Sequence, residues 1–164
     1  MNHIIHEDYL RAALFGIQDG LVSTTGVVVG ISTGVEDKAI IILASLVAVT
    51  VEASSMAAGQ YSSEKAVHQM DRSGKHTDSL IFGALIMFFG YLLGGMVPII
   101  PTIIADQPTA RIIAIFAAFL GLFALGFIKG HLVHVKPLRS ALELFIIGAI
   151  ATTIGLIVGQ IFKV

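Results

Sequence analysis

Five apolar runs dominate the chain, each long enough to cross a bilayer as a helix. They cover residues 9–31, 39–61, 79–104, 109–128 and 140–162, and a spanning helix needs about 20 apolar residues. The runs are continuous rather than alternating, which argues against a transmembrane β-barrel. The first is too long and too rich in Gly for a cleaved signal peptide. Only 13% of the 164 residues are charged, and mean hydropathy is +0.90. A soluble domain carries about 25% charged residues, so this chain cannot coat a water-facing surface. Its net charge of −1 offers no basic field for nucleic acid, and it has no Cys for disulfides or thiolate sites. The expected fold is all-α: a polytopic membrane protein whose residues 1–164 form a single five-helix transmembrane domain.

Lys and Arg set the expected orientation. Arg11, Lys65, Arg72, Lys75, Lys129, Lys136 and Arg139 fall on one side of this topology, against Lys38, Arg111 and Lys163 on the other. The richer side belongs in the cytoplasm, which puts the N-terminus in the cytoplasm and the C-terminus outside. All six His then lie on the cytoplasmic side. Pro98 and Pro101 are expected to break or kink the outer end of the third helix, and Pro108 suits the first turn of the fourth. The longest loop is expected over residues 62–78. Its Glu64, His68, Asp71 and His76 are candidates for metal capture at the cytoplasmic mouth, although their spacing matches no defined site and a solvated loop explains them better. His131 and His134, on another short loop, lack the nearby Glu of a zinc protease. With no His inside a span, the chain is not expected to be an enzyme.

The first span carries the sharpest pattern. At about 100° per residue, Ala12, Gly16, Asp19, Ser23, Gly26 and Gly30 share one narrow stripe. Small residues let helices approach closely, so Ala12, Gly16, Gly26 and Gly30 are expected at a helix-packing or dimer interface. Further small pairs with i, i+4 spacing stand at Gly90/Gly94 and Gly155/Gly159. A charged Asp at a helix centre costs about 2.5–3.5 kcal/mol on insertion scales. Asp19 must therefore face a partner, an ion or water, and intramembrane carboxylates are functional by default.

The second span supplies a companion. Glu52 lies near mid-membrane, with Met56 one helical turn further on the same face. Carboxylate oxygens suit any divalent cation, whereas a thioether favours softer transition metals over Mg²⁺ and Ca²⁺. Asp19, Glu52 and Met56 are thus the candidate metal ligands, with Met56 supplying preference more than affinity. Tyr91, near the middle of the third span, is within the repertoire of donors to a carboxylate, but packing explains it equally well.

Residues 11–26, RAALFGIQDGLVSTTG, resemble the first-helix signature of the vacuolar iron transporter (VIT) family. Residues 52–62, EASSMAAGQYS, resemble its second-helix signature. GGMVPIIP over 94–101, GFIKG over 126–130 and the stretch from Ile147 to Gly159 are similar to it as well. The resemblance implies a five-helix protomer in a homodimer that exports Fe²⁺ or Mn²⁺ from the cytosol in exchange for protons. It aligns the family's intramembrane Asp with Asp19 and its Met with Met56. Family members commonly carry Glu at the position of Gln60 and a small residue at that of Glu52. Plant and yeast members also place a Glu-rich cytoplasmic metal-binding domain between helices two and three, where this chain has only a short loop.

Carboxylates doubled by a dimer in a low-dielectric cleft favour the protonated form when empty. A divalent cation needs deprotonated ligands, so metal binding and proton release become one exchange. The expected function is therefore a divalent-metal/proton antiporter, needing no cofactor beyond the transported ion and protons, with membrane lipids around it. The alternative is a non-transporting membrane assembly or scaffold protein of the same fold. A compact chain without a visible targeting extension is expected in a prokaryotic cytoplasmic membrane rather than a vacuolar one.

Overall fold

The computed structural model describes residues 2–70 and 79–163, with side chains from Glu7 onward. Five helices follow in order: α1 (Asn2–Gly34), α2 (Lys38–Met70), α3 (Leu80–Ile104), α4 (Thr109–Leu132) and α5 (Pro137–Ile161). All five contain a window long and apolar enough to cross a membrane. Large apolar side chains such as Leu93, Ile104, Phe116 and Leu120 point outward, while the buried positions are largely small. On α4 the buried residues recur every fourth position: Ala110, Ala114, Ala118, Leu122, Gly126 and Gly130. Lipid tails are as apolar as Leu, so close backbone packing rather than burial of bulk holds such helices together. The chain is an integral membrane protein.

Helix α1 is the centre of the bundle and packs against all four others, most extensively against α3 and α5. Enclosure by protein is what lets it carry Gln18, Asp19, Ser23, Thr24 and Thr25 at membrane depth. Its small residues serve two crossings. A Cβ on Gly16 would lie 2.8 Å from the Met87 carbonyl oxygen of α3, and a Cβ on Gly94 would meet the Ile17 carbonyl of α1. Towards its other end, Cβ atoms on Gly26 and Gly30 would lie 3.1 and 3.0 Å from the carbonyls of Ala151 and Gly155 on α5. The paired glycines of α1, α3 and α5 therefore match two by two. Ala12 is buried in the same way. The expectation of close packing holds: Gly16 is buried against α3, whereas Gly26 and Gly30 approach α5 and still line an open groove between α1 and α5.

Several helices run past the bounds read in the sequence, and α1 already begins at Asn2. Helix α2 runs on to Met70, so Glu64 and His68 stand on a helix rather than in a loop. Its 33 residues extend about 50 Å at 1.5 Å per residue, against a hydrocarbon core of about 30 Å. The polar last turns simply continue beyond the membrane, supported by Gln60 donating to Glu64 one turn on at 3.0 Å. Helix α4 likewise includes His131, while His134 closes the α4–α5 turn with a left-handed φ of 55°. Helix α3 is not broken at Pro98 or Pro101 but continues through both to Ile104, where the Ala105 N–H bonds back to the Pro101 carbonyl.

Candidate functional site

Three helices bring polar side chains together inside the bundle. Glu52 of α2 accepts hydrogen bonds through one oxygen, Oε2, from the Tyr91 hydroxyl of α3 and from Ser23 Oγ of α1, the latter at 3.2 Å. Ser23 and Tyr91 also bond to each other. Tyr91 is buried to 1% exposure, its ring in the apolar core and its hydroxyl on the Glu52 carboxylate. The other oxygen, Oε1, takes no hydrogen bond among the described residues. Its lone pairs are available to a cation.

Asp19 lies one turn before Ser23 on the same face of α1, half-buried and close enough to Glu52 for the two to repel. Among the described residues it has neither a hydrogen bond nor an ion pair. An intramembrane carboxylate without a protein partner is a costly thing to keep. Met56 sits one turn beyond Glu52, partly buried against the cluster of Val28, Val49, Ala53 and Tyr91. Among the described residues, no three His, Cys, Asp or Glu side chains gather as a metal-holding group. One protomer thus offers two neighbouring carboxylates and a thioether on an adjacent turn, short of a full coordination sphere.

Of the capture candidates, Glu64 and His68 lie among the described residues. Glu64 Oε1 accepts from Arg11 of α1 at 2.6 Å and from Gln60, and its side chain is only 10% exposed. Arg11 also pairs with Asp8 at 3.2 Å. That oxygen is committed to a brace between α1 and α2, not offered to arriving metal. Tyr9 completes the brace by accepting from the Ser79 N–H at 3.0 Å and packing edge-on to Phe82. His68 is half-buried on α2, while Asp71 and His76 lie outside the described residues. The sequence held part of this signal, in the i, i+3 pair Asp8/Arg11 and the i, i+4 pair Gln60/Glu64. Nothing in it joined the two pairs.

Residues 30–34, Gly-Ile-Ser-Thr-Gly, match the Gly-x-Ser-x-Gly pattern of serine hydrolases. Here they form the last turns of α1, and the Ser32 hydroxyl is bonded to the Val29 carbonyl at 3.3 Å. The nucleophile elbow of that pattern needs a sharp strand-to-helix turn, which a continuous helix does not provide.

The sequence profile of the VIT family matches residues 10–82 and 66–160. The chain belongs to the VIT family. Vacuolar iron transporter homolog 4 of Arabidopsis thaliana is 31% identical over 158 residues, covering 89% of this chain and 80% of that protein. Vacuolar iron transporter homolog 1 of Oryza sativa subsp. japonica is 26% identical over 176 residues, covering 96% and 76%. Vacuolar iron transporter 1 of A. thaliana is 37% identical over 70 residues, and that match spans only 28% of its length. Family membership agrees with the resemblance carried by the first two spans. In this VIT protein only residues 71–79 separate α2 from α3.

Proposed function

We propose that this VIT protein moves a divalent transition metal, Fe²⁺ or Mn²⁺, out of the cytosol in exchange for protons. The observation that carries the reading is Asp19, an intramembrane carboxylate without a protein partner, beside a Glu52 whose Oε1 is also open. Two neighbouring carboxylates repel when both are ionised, and a divalent cation or a proton relieves that repulsion. Cation and proton then compete for the same oxygens, which is the elementary step of antiport. Met56 adds a soft ligand that Mg²⁺ does not use, since Mg²⁺ demands oxygen ligands and holds its water tightly. The names of the relatives support iron as one substrate.

The protomer alone is short of ligands, and a homodimer would supply the rest. Two copies joined near the Asp19–Glu52–Met56 face would gather up to four carboxylates and two thioethers. The Lys and Arg asymmetry favours the N-terminus on the cytoplasmic side, and an inward proton gradient would drive the exchange outward for metal.

Proteoliposome flux measurements test the reading. Fe²⁺ or Mn²⁺ uptake is expected to accelerate with an opposing proton gradient, and internal pH to move in step with metal. Asp19→Asn keeps the shape of the side chain but removes a titrating ligand, so flux should collapse while the purified variant remains folded. Undiminished, pH-coupled flux in Asp19→Asn would remove Asp19 from the mechanism. Flux that ignores the proton gradient in the unaltered protein would leave uniport, or the non-transporting scaffold if no metal moves.

A further inference from the structure

At the end of the bundle opposite Arg11 and Glu64, a polar pocket of about 430 Å³ lies between the end of α1, the α3–α4 connection and the end of α5. Its polar lining comprises Ser32, Thr33, Glu36, Gln107, Arg111 and Lys163. Arg111 Nη1 donates to the Ser32 carbonyl and to Thr33 Oγ1, both at 3.1 Å, which fixes the guanidinium over the end of α1. Those acceptors are uncharged, and no carboxylate among the described residues pairs with Arg111 or Lys163. Asp106, the nearest acid in sequence, is held away by Lys38 at 3.0 Å. Gln107 has both amide atoms buried and unpartnered. Glu36, exposed at the rim, offsets one of the two positive charges, so the described lining carries one net positive charge.

A half-buried guanidinium with no carboxylate partner among the described residues, beside the Lys163 ammonium, is an arrangement that an anion completes. The pocket also has an apolar continuation. A groove of about 560 Å³ runs between α1 and α5 and shares Val35 with the pocket; Val27, Ile31, Ile154 and Val158 line its length. Acceptor oxygens at the polar end and a hydrocarbon chain along the groove describe one kind of molecule. We propose that this composite site binds an anionic phospholipid, its phosphodiester against Arg111 and Lys163 and one acyl chain in the α1–α5 groove.

Native mass spectrometry of the purified protein in neutral detergent tests this with phosphatidylglycerol, phosphatidylcholine and inorganic phosphate as probes. Phosphatidylglycerol is expected to bind at least about fivefold tighter than phosphatidylcholine, on the scale of one interfacial Lys or Arg. Inorganic phosphate should not displace it. Lys163→Gln removes a side chain with no hydrogen bond or ion pair among the described residues, so the lipid-free thermal midpoint should stay put while phosphatidylglycerol binding weakens about fivefold. Val158→Trp fills the groove and should weaken the lipid without altering the charged pocket. Unchanged binding in both variants overturns the proposal. So does equal binding of inorganic phosphate, which makes the ligand a free anion, or dissociation of a dimer by Val158→Trp, which makes the groove a protein interface.

Discussion

Hydroxyl side chains in this bundle mostly serve their own helix. Thr33, Thr50, Ser54 and Thr152 each donate to the carbonyl four residues back, the ordinary way to satisfy a hydroxyl in lipid. Ser23 and Tyr91 depart from that habit by reaching across to Glu52. This explains why Asp19 and Glu52 stood out in the sequence, while Ser23 and Tyr91 could be noted there without being assigned to Glu52. A mid-span carboxylate is conspicuous because of its cost, whereas a Ser or Tyr is affordable through local bonding. Tyr91→Phe conserves packing and deletes the donor. Polar contacts between membrane helices average about 0.6 kcal/mol and reach about 1.7, so unfolding in detergent should show a loss within that range. Metal flux should fall further than stability does, because Glu52 loses the contact that orients it. A variant with normal flux and normal stability would make the Tyr91–Glu52 contact incidental.

Helix crossings are where glycine position outweighs glycine count. Gly94 and Gly83 lie three turns apart on the same side of α3, both buried against α1. A Cβ on Gly94 would strike the Ile17 carbonyl, which is backbone and has no rotamer to yield, and would lie 3.0 Å from the Leu21 nitrogen. At Gly83 the nearest atom would be Tyr9 Cε1 at 4.0 Å, ordinary contact. Gly94→Ala should therefore cost about 1–3 kcal/mol as overpacking. Gly83→Ala should be neutral or stabilising by up to about 1 kcal/mol, since Ala is the better helix former. Detergent unfolding of the pair checks this, and equal effects would refute the α1–α3 geometry. The i, i+4 spacing of these glycines was visible in the sequence, but the identity of each partner helix was not. GxxxG says that something comes close without saying what. The extension of α2 to Met70 escaped for a related reason. Residues 62–70 are polar enough to read as a loop, and the Arg11–Glu64 bond that braces them joins residues 53 apart.

Across the whole molecule, the number of spans and the membrane class follow from run length alone, while the arrangement of helices follows from which helix tolerates polarity. Helix α1 is central because its carboxylate and hydroxyls must be enclosed; packing against α3 buries Gly16, while Gly26 and Gly30 stay partly exposed in the α1–α5 groove. The proposed contact between protomers has a further candidate face. Helix α2 carries one: Ser54, Ser55, Ala58, Gly59 and Ser62 are exposed small residues with helical spacing. A Cβ on Gly59 would meet nothing within 4 Å. Small exposed residues waste lipid contact unless another helix closes over them, and this strip adjoins Glu52 and Met56, which lack ligands to complete a coordination sphere. The dimer axis is accordingly expected along α2. The chain has no native cysteine, so a single Ser55→Cys variant gives an unambiguous report. Oxidation in membranes should yield a disulfide-linked dimer at Ser55→Cys and none at Leu120→Cys, on the lipid face of α4. Gly59→Leu should leave the protomer folded but convert dimers to monomers in detergent and abolish metal flux, because each half-site loses its complement. Cross-linking at Leu120→Cys instead, or dimers that persist in Gly59→Leu, would move the interface off α2 and leave the two carboxylates of one protomer to bind metal on their own.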